Sequence, residues 1–338
     1  MKKKQAKGKV IANEKQPITQ VEVSAEPVKV TPETDVKKVK EKRKIDKKSV
    51  IIYSVSGAVV LALGIAAGVL VGQNTFKQTM DYSQFDTGEI EVDYSQKYEE
   101  FKKTNSSKYF TAFTPVELAN ISLLKLGDID SFYSQKEGSV IAAGVEQTIN
   151  AYTIKNGNRY FEENISSSSF VKAANRFYQE GESVDWYKGK YVSPTKGSYP
   201  DSSKTEYTLE SFEEVWGGTK DRGTIYIISE QTVLSSEIKD NSDGTKTIAL
   251  DLDPTLSVIR YVKQMKMTGG LSQEPIFHSV HLDFTVDEQL KLLEFFSDEY
   301  YDVHMVIDAK NSNGKISQKF KYEEKEIPGI DTDINYES

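Results

Sequence analysis

The sequence predicts an α+β protein: one transmembrane helix, then a mainly antiparallel sheet covered by two or more helices. Three observations predict it. The stretch Ser49–Phe76, SVIIYSVSGAVVLALGIAAGVLVGQNTF, contains no charged residue. From Ser139 onward, short runs of period two alternate with turn residues. A nearly all-apolar helical stretch precedes those runs, and an amphipathic one interrupts them.

A bilayer core about 30 Å thick needs about 20 apolar residues of helix to cross it. Val50 to Val71 supplies enough. A soluble helix of this length would carry a polar face. A cleaved signal peptide has an apolar core of about 7–15 residues behind a short leader, so an uncleaved signal anchor is the better reading. The chain has no cysteine, which excludes a lipidated cysteine, disulfides and thiolate metal sites. Lysine and arginine crowd the N-terminal flank from Lys37 to Lys48, which predicts a cytoplasmic N-terminus and a C-terminal domain outside the cell membrane. That basic run also suits anionic lipid headgroups, although its role as a topology signal accounts for it alone. Gly64, Gly68 and Gly72 repeat a G-x-x-x-G spacing, the pattern of a helix–helix seam and hence of a homodimer. Glycine is common in transmembrane helices without such a role.

Charge divides at the span. Residues 1–48 hold 15 Lys/Arg against 7 Asp/Glu, a net of +8, and the part beyond the span holds 28 against 44, a net of −16. So acidic a domain is a poor partner for nucleic acid or wall polyanions. The predicted organisation is a disordered basic tail over 1–48, a transmembrane helix over 49–72, a stalk over 73–112 with a helical piece at Tyr98–Lys103, one α+β domain over 113–323, and an acidic frayed tail over 324–338.

Within the domain, Thr114-Pro115-Val116-Glu117 reads as a capping box with proline at the first helical position. It opens a buried helix through Leu126, stopped by Gly127. Val140–Ile154 reads as one long strand interrupted at Gly144. Arg159–Ser166, Phe170–Gln179 and Ser183–Lys188 follow as a meander, the first entered through the Asn156-Gly157-Asn158 turn. Residues 193–207 read as a loop, Leu209–Val215 as a helix and Gly223–Ser229 as a strand. Thr232–Lys239 and Lys246–Leu252 form a hairpin around Asp243-Gly244. Asp253-Pro254 caps an amphipathic helix over Thr255–Met267. Ile276–Val286, Gln289–Asp308 with a break near Ser297, and Lys315–Tyr322 complete the strands.

Catalytic signatures are few. His278 and His281 have H-x-x-H spacing, which brings two rings together on a helix but separates them across a regular strand. Alternation places His278 on the apolar face as a hydrogen-bonded core residue. The pairs Glu162-Glu163, Glu213-Glu214 and Asp251/Asp253 read as solvated faces. Gly217-Gly218 and Gly269-Gly270 read as chain breakers, and Trp186 and Trp216 as packing or rim residues. No nucleophile elbow, P-loop or dinucleotide fingerprint is present. The reading is therefore a non-enzyme with no cofactor and no metal.

The order of elements over residues 113–323 (apolar helix, long antiparallel meander, second helix, final strands) resembles the LolA-like lipoprotein-carrier fold. The resemblance implies a curved, unclosed sheet whose concave face is covered by helices and holds lipid or acyl chains. It rests on architecture alone, so no family residue carries over. An anchored chain departs from a family of shuttles, and a fixed sensor or presenting module suits a tether better. Composition and anchor together look like those of uncharacterised envelope proteins of Gram-positive bacteria. Two functions follow as expectations. One is a binding module that holds a lipid or other apolar ligand between Leu118, Ile121 and Leu124 on the first helix and Leu256, Ile259 and Val262 on the second. The other is an envelope adaptor that binds a protein through an acidic face or a sheet edge.

Overall fold

The computed structural model describes residues 80–169, 172–216, 224–269, 271, 273–304 and 308–329. The anchor Ser49–Gly72, its glycines Gly64, Gly68 and Gly72, the basic run Lys37–Lys48 and Gly217-Gly218 lie outside them. No helix among the described residues is long and apolar enough to cross a membrane.

The stretch expected as a stalk is, from Met80 on, part of the domain. It contains α1 (Thr87–Ile90), α2 (Ser95–Lys103) and α3 (Tyr109–Ala112). Tyr82, Ile90, Tyr94 and Phe101 are buried. The Tyr82 amide donates to Glu274 Oε2 at 2.9 Å and its hydroxyl to the Pro275 carbonyl at 3.1 Å. Phe101 meets Tyr109 and Phe113 with ring centroids 4.1 and 6.1 Å away. Aromatic residues spread through a polar stretch hide their common destination, because none of these short helices has a long apolar face of its own.

The helix α4 (Pro115–Asp128) starts as its sequence dictates. The Glu117 amide donates to Thr114 Oγ1 at 3.2 Å, and the Thr114 amide to Glu117 Oε2 at 2.9 Å. Replacing Thr114 by alanine removes one half of this box and should lower stability by about 1 kcal/mol. Comparative thermal unfolding checks this, and an unchanged midpoint would show the cap to be redundant.

Among the described residues twelve strands form one antiparallel sheet: β1 (Ser131–Ala142), β2 (Val145–Asn156), β3 (Arg159–Ser167), β4 (Lys172–Glu180), β5 (Ser183–Ser193), β6 (Lys196–Ser198), β7 (Lys204–Thr208), β8 (Val233–Asp240), β9 (Lys246–Leu252), β10 (Ile276–Val286), β11 (Leu292–His304) and β12 (Asp308–Lys321). Their order is β6-β5-β4-β3-β2-β1-β12-β11-β10-β9-β8, with β7 paired to β5. Two meanders thus meet where β1 pairs with β12. The end strands do not pair, so the curved sheet stays unclosed. Between the meanders runs α5 (Leu209–Trp216), and α6 (Ile259–Gly269) joins β9 to β10.

Several expected elements differ. The long strand Val140–Ile154 is two strands, because Ala143 and Gly144, with φ 51° and 77°, make a two-residue turn. The loop 193–207 contains β6 and β7, too short to show periodicity. Residues 224–229 are not a strand, although all are buried. Their backbone serves the helices instead: the Ile227 amide donates to the Ser257 carbonyl, and the Ile228 carbonyl accepts from Asn120 Nδ2. The second long helix begins at Ile259 rather than Thr255, since Asp253 Oδ1 accepts from the Thr255 and Leu256 amides and holds that stretch as a turn. No break occurs at Ser297, which is buried within β11. Lys315–Tyr322 is the end of the longer β12.

The main apolar cluster lies on the inner face of the sheet and includes residues of α4, α5 and α6. Two small clusters lie on the outer face. One, Tyr133, Tyr152, Ile154 and Phe161, is covered by Ile327. The expected frayed tail is therefore packed as far as Gly329: the Lys325 carbonyl accepts from Asn156 Nδ2 at 2.9 Å, and Lys325 Nζ stands 4.1 Å from the Tyr133 ring centroid. The other outer cluster is Ile165, Ala174, Tyr187 and Tyr199.

Candidate functional site

Residues directly opposite on neighbouring strands point to the same side of a sheet. The register therefore defines transverse rows on the inner face. One runs Ile238, Ile248, Phe284, Phe295, Gln318, Lys136, Ala151, Asn164, Asn175, Lys188. It is apolar from β8 to β11, where α4 rests on β8, β9 and β11. From β12 to β5 it is polar apart from Ala151. Burial is graded along the polar half: Lys188 is exposed, Asn175 half-buried and Asn164 buried, while Lys136 is 1 % exposed.

Lys136 sits among small neighbours. On its own strand the adjacent inner positions are Ser134 and Gly138, and across it stand Ala151 and Gln318. Gln318 Nε2 donates to Ser134 Oγ at 2.7 Å, and its carbonyl oxygen is buried with no hydrogen-bond partner. Burial lowers the Lys136 ammonium below the usual lysine range, and the field of Glu162 offsets this in part. Glu162 accepts from the Tyr160 hydroxyl at 3.2 Å. A second inward lysine, Lys155, has a structural task. Its Nζ donates to the Gly127 carbonyl at 2.6 Å and to the Ile129 carbonyl, closing the C-terminal end of α4. Burial lowers it to about 8.

A second polar group lies under α6. Tyr226 donates its hydroxyl to Glu299 Oε1, while Glu299 Oε2 and the hydroxyls of Tyr261 and Tyr301 are buried without partners. The rings of Tyr226 and Tyr261 are 5.5 Å apart, and Phe277 stands 5.7 Å from Tyr261 and 5.1 Å from Tyr301. Desolvation pushes the Glu299 carboxyl up to about 8, so it is mostly protonated at neutral pH.

The residues predicted to line an apolar pocket lie at the main apolar cluster, apart from Leu256. Leu118, Ile121 and Val262 are buried, Leu124 and Ile259 pack on the same cluster half-buried, and Leu256 is half-buried in the turn before α6. The first helix rests on β8, β9 and β11, whereas the second packs against α5. A cavity of about 450 Å³ lies elsewhere, lined by Asn156, Arg159, Glu324, Glu326 and Ile327.

His278 is exposed rather than in the core. A bulge between Phe277 and Ser279 inserts one residue, so Phe277 and Val280 are both buried and His278 joins His281 outside. The rings bond to different carboxylates: His278 Nε2 lies 3.2 Å from Asp302, and His281 lies 2.7 Å from Asp251 and 3.2 Å from Asp283. Among the described residues no group of three His, Asp or Glu side chains is placed to hold a metal ion. Glu162 and Glu163 point to opposite faces, and Glu163 is buried against Arg176. Neither Lys136 nor Glu299 stands out in the sequence, because period-two reading assigns polar positions to the solvent side.

No known family matches this chain, and no curated protein matches it by sequence. Among solved structures, a DUF1329 family protein from Desulfovibrio piger is similar at 11% identity and a TM-score of 0.24, covering 62% of this chain and 92% of its own. A porin-like protein from Bacteroides uniformis is similar at 8% identity and a TM-score of 0.20, covering 56% and 96%. Likenesses this slight carry no argument about function.

Proposed function

We propose that this chain is a single-pass, membrane-anchored binding module with no catalytic activity, which holds a lipid or similar amphiphile on the inner face of its sheet outside the cell membrane. The observation that carries this reading is the transverse row that passes from apolar to polar between Phe295 and Gln318. An inner face that served only as a core would be apolar throughout, since burying polar groups costs free energy. The charge-free stretch Ser49–Phe76 and the basic run before it supply the anchor and its orientation. The buried polar groups on the inner face then meet the polar end of a ligand.

Native mass spectrometry of the full chain, released from detergent, tests the proposal. A co-purifying mass of a few hundred to about 1,500 Da, typical of membrane lipids, that organic extraction removes is expected. A bare chain after purification from its own membrane, which also takes up no added amphiphile, would refute it. A second reading, an adaptor that pairs with another protein, is favoured by the free edge strand β8, where Leu234 is 66 % exposed. That reading predicts a bare chain and a captured protein partner lost when β8 is altered.

A further inference from the structure

The outer face of β1–β4 carries an apolar row where a solvated sheet face would be polar. The register sets Tyr133, Ile154, Phe161 and Tyr178 opposite one another across the four strands, with Tyr152 beside them on β2. Tyr133, Tyr152, Ile154 and Phe161 are nonetheless buried, and Ile327 packs against them. Ile327 belongs to the segment Glu323–Gly329, which follows β12 and crosses these strands as neither helix nor strand. Its contacts fall at every second residue, the spacing of an extended peptide. The Lys325 ammonium stands 4.1 Å from the Tyr133 ring centroid and 5.6 Å from that of Tyr152. The backbone is gripped by side chains from the rows on both sides. Asn156 Nδ2 donates to the Lys325 carbonyl at 2.9 Å, and Arg176 Nη1 reaches the Gly329 carbonyl at 3.5 Å. Glu324 and Glu326, between the contacts, are exposed. The cavity of about 450 Å³ lined by Asn156, Arg159, Glu324, Glu326 and Ile327 lies between the segment and the β2–β3 hairpin, so the fit is incomplete there.

We propose that this outer face is a docking surface for an extended protein segment with a basic residue two positions before an aliphatic one, and that Glu323–Gly329 occupies it in cis until such a partner displaces it. The surface lies on the opposite side of the sheet from the proposed amphiphile, and its role is independent of that reading. Backbone grips and side-chain seats divide the work of peptide recognition. The carbonyls held by Asn156 and Arg176 are present in any extended chain. The tyrosine pair selects a cation, and the apolar cluster selects an aliphatic side chain. The segment Glu323–Gly329 has the properties of an exchangeable occupant. It joins no strand, and Pro328 lacks the N–H that pairing would use. Its release therefore breaks no β-ladder, and such local opening costs less than global unfolding. Once released, it bares a contiguous apolar row, the kind of surface that marks an interaction site.

The test uses the full chain in detergent and a fluorescent peptide with the sequence of Glu323–Gly329, with binding read by anisotropy. The double variant Lys325→Ala/Ile327→Ser frees the face without shortening the chain. It should bind the peptide at least about tenfold more tightly than the wild type, whose own segment competes at the millimolar effective concentration of a short tether. A peptide carrying the same two changes should bind the variant at least about tenfold more weakly, having lost both the cation and the aliphatic side chain. Equal binding by wild type and variant, binding by neither at millimolar peptide, or equal binding of the two peptides overturns the docking surface. Should the double variant fail to fold, a spin label on Glu326→Cys decides, since the chain has no other cysteine. Millimolar peptide should then sharpen the label's spectrum in the otherwise wild-type chain, and an unchanged spectrum overturns the proposal.

Discussion

Replacing Arg176 by methionine should cost about 3–5 kcal/mol of stability at pH 8, the scale for breaking a buried ion pair by removing one partner. The guanidinium lies between the two outer-face clusters. Its side chain is 3 % exposed and that of Glu163 is 2 % exposed. Nη2 and Nε donate to the same Glu163 oxygen at 2.6 and 3.2 Å. The guanidinium carbon stands 4.0 Å from the Tyr199 ring centroid and 5.3 Å from that of Phe161. Burial raises the Glu163 carboxyl above its ordinary range, and Arg176 opposes that rise. Without the arginine the carboxyl rises further, so the folded variant binds a proton that the unfolded chain lacks at intermediate pH. Stability of the variant then falls as pH rises through that window. The deficit relative to wild type should therefore be smaller at pH 5 than at pH 8, as measured by urea unfolding. The double variant Glu163→Leu/Arg176→Met should recover most of the loss, because it buries no orphaned charge. A single variant within 1 kcal/mol of wild type at both pH values would show that this pair does not hold the outer face.

What the sequence disclosed follows local chemistry. The capping box at Thr114, the Asn156-Gly157-Asn158 turn and the Asp243-Gly244 turn each specify their backbone, and the structure has α4 and both hairpins where they were expected. Gly157 and Gly244 adopt φ 58° and 86°, conformations that glycine takes readily. The Ala143-Gly144 turn was hidden because an alanine at positive φ carries no turn signature. The run Ile225–Ile228 has strand composition, yet it packs over the core without strand pairing. The tertiary context decides that, and composition alone does not. His278 was misplaced by a single inserted residue, which reverses the sides of everything before it in the strand. The polar inner row was illegible for a deeper reason. Alternation reveals that a strand has two unlike sides, and the assignment of the polar side to solvent is an added assumption. Along β1, Phe132, Ser134, Lys136, Gly138 and Val140 share the buried face, while Tyr133 packs outside under Ile327.

That same assumption concealed Glu299, whose replacement by glutamine should abolish most of a pH dependence of stability between about pH 5 and 8. The groups facing it are Tyr226, which donates to Oε1, Tyr301 two residues along β11, and Tyr261 from α6. Burial raises Tyr261 and Tyr301 well above the usual tyrosine range, so neither titrates in this window. The Glu299 carboxyl rises from 4.5 to about 8. The folded chain therefore keeps a proton that the unfolded chain has lost, and stability decreases as pH climbs from about 4.5 through 8. The whole span is worth on the order of 5 kcal/mol. Lys155 acts in a different window: its folded value of about 8 lies below the ordinary 10.5, so its contribution rises with pH only above about 8. Glutamine preserves volume, can still accept from Tyr226, and carries no ionisable proton. Glu299→Gln should match wild type near pH 5 and exceed it near pH 8, leaving only the smaller trend from Glu163. Denaturant unfolding at half-unit pH steps measures both curves. If they run parallel, Glu299 is ionised in the folded protein at neutral pH, and a cation or ordered water must then accompany it among the tyrosines, because a bare carboxylate there would have no counter-charge.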